Sequence, residues 1–317
     1  MRKVKCTIYD CELDLYHEAV IEDNVVFILD KEGNQSEAKE YILPYVDYGM
    51  VQFFIGDYDE SVHEIENNNS KWGYFKLSTG EIIVPPVYDY AYPFYGDRAK
   101  VRRKMKYGFI DTEGNEVVKI DWDDTANSVG FGLCWVKKGD KYGYVDRQGV
   151  KVLTPQFEKA ERLNSIGNEK YAAIVKKDGK YGFIDEKGNY IFEPVFQDAK
   201  KFWFADYKLN KVYAPVKAFY KWTFIDIKGK FVVNFQFDDI GEEKGITIKK
   251  SKEKKLCEDQ YISFYTVRKD GKWGLMNADF ELIMPEDEQS YVIYHDVKIY
   301  IKEGKVTSVR KLKDKKQ

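Results

Sequence analysis

Histidine and cysteine are scarce in this sequence. Its 317 residues include three histidines, His17, His63 and His295, and four cysteines. The cysteines show no paired Cys-x-x-Cys spacing, and they are too few for a disulfide scaffold. No serine, cysteine or histidine lies in a motif typical of a nucleophilic triad or a zinc site. We therefore expect no catalytic residue, no metal site, no cofactor and no enzymatic activity.

Long apolar runs are also missing. No run reaches the about 18 residues that indicate a membrane-spanning helix. The first residues, Met1 to Cys6, are basic, but no apolar stretch long enough for a signal peptide follows them. We therefore expect no membrane partner, and we expect the protein to be cytoplasmic.

Aromatic residues, by contrast, are abundant. They make up 16% of the chain, with 25 tyrosines and 20 phenylalanines, and such residues favour strands with one buried face. The formal net charge of −2 conceals an asymmetry. Residues 1–70 carry five basic and 16 acidic side chains, whereas residues 71–317 carry 46 and 37. Such a separation of charge steers association more than it stabilises a fold.

One motif recurs along the chain, Lys-Tyr/Trp-Gly-aromatic-Ile/Val-Asp-x-x-Gly, and its clearest copy runs from Lys180 to Gly188. The six lysines that begin the copies are separated by 35, 35, 39, 41 and 51 residues. These lysines are Lys71, Lys106, Lys141, Lys180, Lys221 and Lys272. A recurrence with this period is the signature of a repeat architecture. The stretch Val25 to Gly33 resembles a worn copy, which predicts a degenerate leading repeat.

Each repeat has the pattern of a β-hairpin followed by a third strand. In the clearest copy, Tyr181 to Ile184 suits a strand, Asp185 to Asn189 suits a turn, and Tyr190 to Phe192 suits the return strand. Pro194 would end the ladder because it has no N–H to donate. An aromatic–acidic pair and a third alternating strand follow in most copies. No window shows sustained helical spacing of apolar residues.

Three short strands cannot bury both of their faces, so neighbouring repeats must stack. We predict an all-β fold of tandem repeats of about 35–40 residues, stacked as a propeller-like ring, with an open β-superhelix as the alternative. In a ring, the strand Val4 to Tyr9 would pair near the last strands. The predicted organisation is an acidic segment with the leading repeat at 1–70, six repeats at 71–310, and a basic tail at 311–317.

The motif and the Pro-x-aromatic-Asp segment after it resemble the bacterial WG-repeat (KWG repeat) family over about residues 71–301. The departures are local: Thr223 replaces the motif glycine, Lys76 and Asn277 replace the aspartate, and Phe280 replaces the turn glycine. The resemblance implies an interaction or scaffold role, and it implies no chemistry.

The recurring polar and aromatic residues each allow two interpretations. The motif aspartates could bind calcium, but the acidic residue next to them varies in place, so we interpret them as turn residues. The motif tryptophans Trp72, Trp222 and Trp273 could form a stacking platform for sugars or bases. Their recurrence at one register favours core packing, with the motif glycine allowing a close approach of the backbone.

Insertions at 161–170, 203–211 and 241–260 are candidate binding surfaces, since insertions in repeat arrays often fall on the binding face. The aromatic-rich segment 202–207 supplies three candidate partner-binding residues, which are Trp203, Phe204 and Tyr207. The alternative is that these aromatics extend a local strand. The lysine-rich stretches 249–255 and 311–316 are interrupted by acids and poor in arginine, so we expect no nucleic-acid partner.

We therefore predict a non-catalytic β-repeat scaffold that mediates protein–protein interaction, with another protein as its partner. The alternative is a carbohydrate-binding or carbohydrate-processing β-repeat protein, because two carboxylates at the right separation suffice for glycoside hydrolysis. A nucleic-acid binder is a third and weaker hypothesis, and it would require steeply salt-dependent binding.

Overall fold

Alternating apolar residues and turn motifs produce strands throughout the described chain. The computed structural model describes residues 3–10, 15–37, 49–56, 70–130, 132–206, 211–248, 260–285, 291–294 and 297–312. Every regular element of more than one residue in these stretches is a β-strand. The all-β prediction is confirmed.

The chain divides into two compact units, Met1–Gln156 and Phe157–Gln317. The strands that begin in the first unit are β1 (Val4–Asp10), β2 (Leu15–Glu22), β3 (Val25–Leu29), β4 (Gln35–Glu37), β5 (Met50–Ile55), β6 (Lys71–Lys76), β7 (Ile82–Tyr88), β8 (Tyr90–Tyr95), β9 (Arg98–Arg103), β10 (Lys106–Ile110), β11 (Glu116–Trp122), β12 (Asp124–Thr125), β13 (Leu133–Lys138), β14 (Lys141–Asp146) and β15 (Lys151–Phe157).

The second unit contains the remaining strands. They are β16 (Lys159–Ala160), β17 (Asn164–Ser165), β18 (Tyr171–Lys177), β19 (Lys180–Asp185), β20 (Tyr190–Phe196), β21 (Asp198–Ala199), β22 (Trp203–Asp206), β23 (Lys211–Ala218), β24 (Lys221–Asp226), β25 (Asp239–Ile248), β26 (Gln260–Lys269), β27 (Lys272–Asn277), β28 (Leu282–Ile283), β29 (Tyr291–Tyr294), β30 (Val297–Lys302) and β31 (Lys305–Lys311).

The strands form antiparallel sheets with a recurring order. In the sheet β12-β13-β14-β15, a short strand pairs with a third strand, the third strand with a motif strand, and the motif strand with its return strand. Three other sheets have the same order, and they are β8-β9-β10-β11, β16-β18-β19-β20 and β25-β26-β27-β28. In these sheets the motif strand therefore lies between its own return strand and the third strand of the preceding repeat.

Each of these sheets contains a fourth strand in addition to the hairpin and third strand that the sequence predicts. The fourth strand, such as β12 or β16, starts directly after the residue that follows the return strand's last aromatic residue, and it is two residues long in several sheets. A strand of two residues is too short to show the alternation of apolar and polar residues that reveals strands in a sequence. Each sheet therefore joins strands from the end of one sequence repeat to the motif strand of the next repeat.

The leading copy has the same arrangement. Strands β1 to β4 lie in the order β4-β3-β2-β1, and β1 continues through β5 to β6 and β7, which makes seven strands in all. Strand β1 has β2 on one side and β5 on the other, so its partners lie within its own unit. Strand β5, which falls within the predicted segment 1–70, pairs with β6 along its whole length.

The core lies between neighbouring sheets of each unit. In the first unit, Phe109 and Val118 from one sheet pack with Val136 and Val145 from the next sheet. In the second unit, a cluster joins Phe183 and Phe196 of one sheet to the apolar residues of β23 and β24 in the next. Burying one such side chain contributes about 1.5–3 kcal/mol. The predicted stacking of neighbouring sheets is confirmed.

Candidate functional site

The motif aspartates hold the hairpin turns. The Asp185 carboxylate accepts hydrogen bonds from the N–H groups of Lys187, at 2.9 Å, and Asn189, at 2.8 Å. Gly188 completes this turn with a φ of 84°, a conformation that favours glycine. The same pair of bonds, to the second and fourth residues after the aspartate, recurs at Asp30, Asp111, Asp146 and Asp226. The turn interpretation of these aspartates is confirmed.

The leading copy and the sixth copy preserve this turn despite their changes of sequence. At Asp30, hydrogen bonds from the side chain and backbone of Asn34 lower the pKa of the carboxyl group. Asn277 replaces the aspartate in the sixth copy, and its side-chain oxygen accepts from the N–H groups of Asp279 and Glu281. Within the described part of the chain, no group of three or more His, Cys, Asp or Glu side chains could hold a metal ion.

The motif glycine lets the return strand come close. A Cβ atom on Gly182 would lie 2.6 Å from the Phe192 carbonyl oxygen and 2.8 Å from the Pro194 nitrogen. The equivalent distances to a return-strand carbonyl oxygen are 2.4 Å or 2.5 Å at Gly73, Gly108, Gly143 and Gly274. These distances are shorter than real Cβ contacts, so the prediction of a close backbone approach is confirmed.

The polar residue after the return strand, which is acidic in most copies, binds the next hairpin. Asp123 accepts hydrogen bonds from Lys106 Nζ and from the Gly139 N–H, and its own N–H donates to the Lys137 carbonyl oxygen at 3.0 Å. The Lys106 hydrogen bond is the main reason that the pKa of Asp123 is lowered. The bond to a turn N–H recurs in the pairs Asp89–Lys104, Glu158–Gly179, Gln197–Tyr220 and Asp238–Gly271. The sequence shows the aromatic–acidic pair but not this role.

A cation covers the motif aromatic ring in most copies. Lys176 lies opposite Tyr181 in the β18–β19 ladder, and its Nζ is 5.3 Å from the ring centroid. Separations of 5.5 to 5.8 Å occur in the pairs Lys137–Tyr142, Lys217–Trp222 and Arg268–Trp273. Each cation is placed by its ladder partner and attracted by the electron-rich ring face.

These rings are part of the fold. Trp72 and Trp222 are buried, and both belong to clusters of core residues. Core packing is therefore confirmed for Trp72 and Trp222, since a stacking platform needs ring faces open to a ligand.

The segment 202–207 does not present Trp203 to solvent. The Trp203 ring is buried, donates a hydrogen bond to Ser263 Oγ at 2.7 Å, and meets the Tyr265 ring edge-on with the centroids 5.1 Å apart. This corrects the expectation that Trp203 is an exposed anchor, because apolar burial and a satisfied indole N–H hold it in the core. Phe204 pairs with Val212 through the backbone, and Tyr207 lies outside the described residues.

Among the residues that the structure describes, the most exposed aromatic side chains occur instead in the turn between β23 and β24. Phe219 is 83% exposed and Tyr220 is 80% exposed. Their φ angles are 49° and 63°, which is unusual for bulky residues. Two other repeats have Asp178–Gly179 and Asp270–Gly271 at this position. The signal in the sequence is therefore an aromatic pair directly before a motif lysine.

A cavity of about 470 Å³ in the first unit is lined by Met50, Lys76, Ile83, Thr112 and Glu113. Glu113 is the single carboxylate among these lining residues, and none of them is aromatic. Among the described residues, no helix is long and apolar enough to cross a membrane.

Comparisons with known proteins support the repeat assignment. A family model described as WG containing repeat matches residues 72–104, 107–142, 142–181, 181–202 and 222–245. A search of curated proteins found no match.

Several solved structures show remote similarity. A eukaryotic initiation factor is 9% identical, with 98% of this chain and 96% of that chain covered and a TM-score of 0.36. BBS1N in complex with ARL6DN is 9% identical, with 84% and 88% covered and a TM-score of 0.30. The dihydro-heme d1 dehydrogenase NirN is 10% identical, with 97% and 73% covered and a TM-score of 0.30. These similarities are too distant to carry an argument. The five matches to the family model show that the chain contains WG repeats.

Proposed function

We propose that this WG-repeat protein is a non-catalytic scaffold that binds another protein. The observation that carries the proposal is that the recurring polar side chains form hydrogen bonds with backbone groups of the fold itself. The motif aspartates bind backbone N–H groups of their own turns, and the acids after the return strands bind N–H groups of the following turn. Groups that are occupied in this way support the architecture and are poorly placed to act on a substrate.

The positions where the repeats differ are the candidates for recognition. Phe219 and Tyr220 replace turn residues with large exposed rings. Aromatic residues of this kind are enriched at the centres of protein–protein interfaces. The pairing of β23 with β24 holds the backbone on both sides of this turn, so mainly the side chains would lose freedom on binding.

Affinity capture of the full chain from its native cells, with partners identified by mass spectrometry, tests the proposal. A partner that binds the purified chain directly and saturably would support it. Binding on a glycan array, or hydrolysis of chromogenic glycosides, without any protein partner would instead favour the carbohydrate alternative. The variant Tyr95→Ser serves as the control for partner binding, because it removes one exposed aromatic ring in the first unit.

We also propose that the array closes into a propeller-like ring and that the protein acts in the cytoplasm. Solution scattering from a ring would fit a compact disc, whereas an open superhelix would fit a curved rod. Cell fractionation with immunodetection would test the location, and recovery in a membrane or secreted fraction would contradict it.

A further inference from the structure

The turn between β23 and β24 combines strain with exposure. Phe219 and Tyr220 both have positive φ angles, a conformation that costs free energy for residues larger than glycine or asparagine. Burial does not compensate this cost, since both rings are mostly exposed. The Tyr220 N–H donates to Gln197 Oε1 at 2.8 Å, so the turn is held in place by the preceding sheet. A fixed, strained and exposed aromatic pair is a candidate for recognition.

The next hairpin extends this surface, and the reason is one substitution in the motif. Thr223 stands where the other five complete copies of the motif have glycine, so its Cβ occupies the space that the return strand uses in those copies. The Thr223 hydroxyl donates to the Val233 carbonyl oxygen at 2.5 Å. The return segment 231–237 makes isolated bridges to β24, at Ile225–Phe231 and Trp222–Phe237, in place of a regular ladder.

This irregular return segment brings Phe231 and Phe235 next to the turn. The Phe219 and Phe235 ring centroids are 6.0 Å apart, and those of Phe231 and Phe235 are 5.1 Å apart. The ring planes are inclined by 83° and 57°. Rings tilted in this way form an apolar contact surface, whereas nucleic-acid bases stack on open, flat ring faces. The geometry favours apolar side chains of a protein over bases.

The charge beside the rings is positive. Lys228 and Lys230 closely precede Phe231 in sequence, and both are exposed. The nearby Asp226 carboxylate accepts from the N–H groups of these same two lysines, at 2.9 and 2.8 Å. Its charge is therefore fixed towards the backbone of the turn, and the two ammonium groups give this end of the aromatic surface a positive character. Complementary recognition requires an acidic partner.

We propose that Phe219, Tyr220, Phe231 and Phe235 form a docking surface for an acidic peptide segment of a partner protein, with apolar anchors that contact the rings. The inference rests on the proposed scaffold function and specifies the partner's chemistry. Acidic residues beside the anchors would face Lys228 and Lys230. The turn strain would be the cost of holding two anchoring rings outside the core.

Selection of short random displayed peptides against the full wild-type chain tests this inference. We expect enriched peptides to combine Asp or Glu with Leu or aromatic residues. The variant Phe219→Asn with Tyr220→Gly should bind them about tenfold more weakly, or worse, since aromatic anchors dominate such interfaces. Its melting temperature should stay equal or rise, because Asn-Gly is the preferred pair for this turn. Tyr95→Ser is the matched control and should bind normally.

A second variant, Lys228→Glu with Lys230→Glu, leaves the rings in place and should weaken the same peptides. Equal affinity of the wild type and the aromatic variant would overturn the inference, and so would a selection that enriches no acidic peptides. Tight binding of oligodeoxythymidine that the aromatic variant loses would assign the surface to nucleic acid instead. A directly binding partner captured from cells that binds the aromatic variant normally would leave the scaffold function standing and refute this surface.

Discussion

Two hairpins of the second unit share one motif and differ at its glycine. In the hairpin 180–196, Gly182 allows β20 to lie against β19, with Phe183 opposite Phe192 and Tyr181 opposite Phe196. In the hairpin 221–237, Thr223 occupies the glycine position, and the return segment makes isolated bridges. Both turns are nevertheless built alike, with Asp185 and Asp226 each accepting hydrogen bonds from the N–H groups of the second and fourth residues that follow.

The comparison separates the two tasks of the motif. The aspartate and turn glycine act within a few residues, so the turn forms whatever the return segment does. The motif glycine acts across the strands, and its replacement opens the ladder without abolishing the hairpin. The opened segment places Phe231 and Phe235 beside the exposed turn at Phe219. The Thr223 side chain therefore accounts for the position of the candidate recognition surface.

The largest effect is expected in the core beneath the open hairpin. Trp203→Ala should lower the free energy of unfolding by about 4 kcal/mol, because it leaves a cavity and an unpaired Ser263 hydroxyl. Urea unfolding followed by fluorescence would measure this. The control Tyr95→Ser should change stability by less than about 0.5 kcal/mol. A small effect of Trp203→Ala would contradict its place in the core.

A threonine placed at the glycine position of the regular hairpin tests this comparison. Gly182→Thr should destabilise the protein by about 3 kcal/mol, because the new Cβ would overlap the Phe192 carbonyl oxygen and the return strand must move. Hydrogen exchange of the 190–196 amides should accelerate as the ladder opens. Gly130→Ala is the control, since nothing lies within 4 Å of a Cβ at Gly130. Unchanged stability and exchange would refute the close-approach explanation.

The shared turn can be tested separately from the ladder. Gly188→Val should cost about 1–3 kcal/mol, since a β-branched residue is strained at a φ of 84°. The chemical denaturation midpoint would report the change. Gly188→Asn is the matched variant, because asparagine tolerates this conformation better, and it should cost less. Equal costs for Val and Asn would show that φ is not the cause.

The smallest effect concerns the polar residue after each hairpin, which is the acid Asp238 after the open hairpin and the neutral Gln197 after the regular one. The side-chain hydrogen bond from Lys221, followed by that from the Gly271 N–H, lowers the pKa of Asp238. A lowered pKa adds stability that is present above the unfolded value of about 4 and is lost as the pH falls through the folded value.

Asp238→Asn should therefore reduce the loss of stability on acidification by about 0.5 kcal/mol, since the pair is partly solvated. Unfolding measured at about pH 6 and about pH 3, above and below the unfolded carboxyl pKa of about 4, would show this. Gln197→Ala should leave the pH dependence unchanged, because Gln197 does not titrate. An unchanged profile for Asp238→Asn would mean that the Lys221 contact contributes nothing.

Local features were predicted best. The turn at Asp185 to Gly188 and the strands around it depend on residues a few positions apart, and these were predicted from the sequence. The two-residue strands were missed because they are too short to alternate. Trp203 was misassigned because an aromatic-rich segment looks the same in sequence whether its rings face solvent or Ser263 and Tyr265 in the core.

The sequence by itself determined the all-β class, the repeat motif, the turn chemistry and the close approach at the motif glycine, since each follows from residue types at short spacing. Only the tertiary structure decided which aromatic rings are buried and which are exposed. Exposure depends on what packs against a ring from distant parts of the chain. Thr223 was visible as a departure, but its consequence for Phe231 and Phe235 required the position of the return strand.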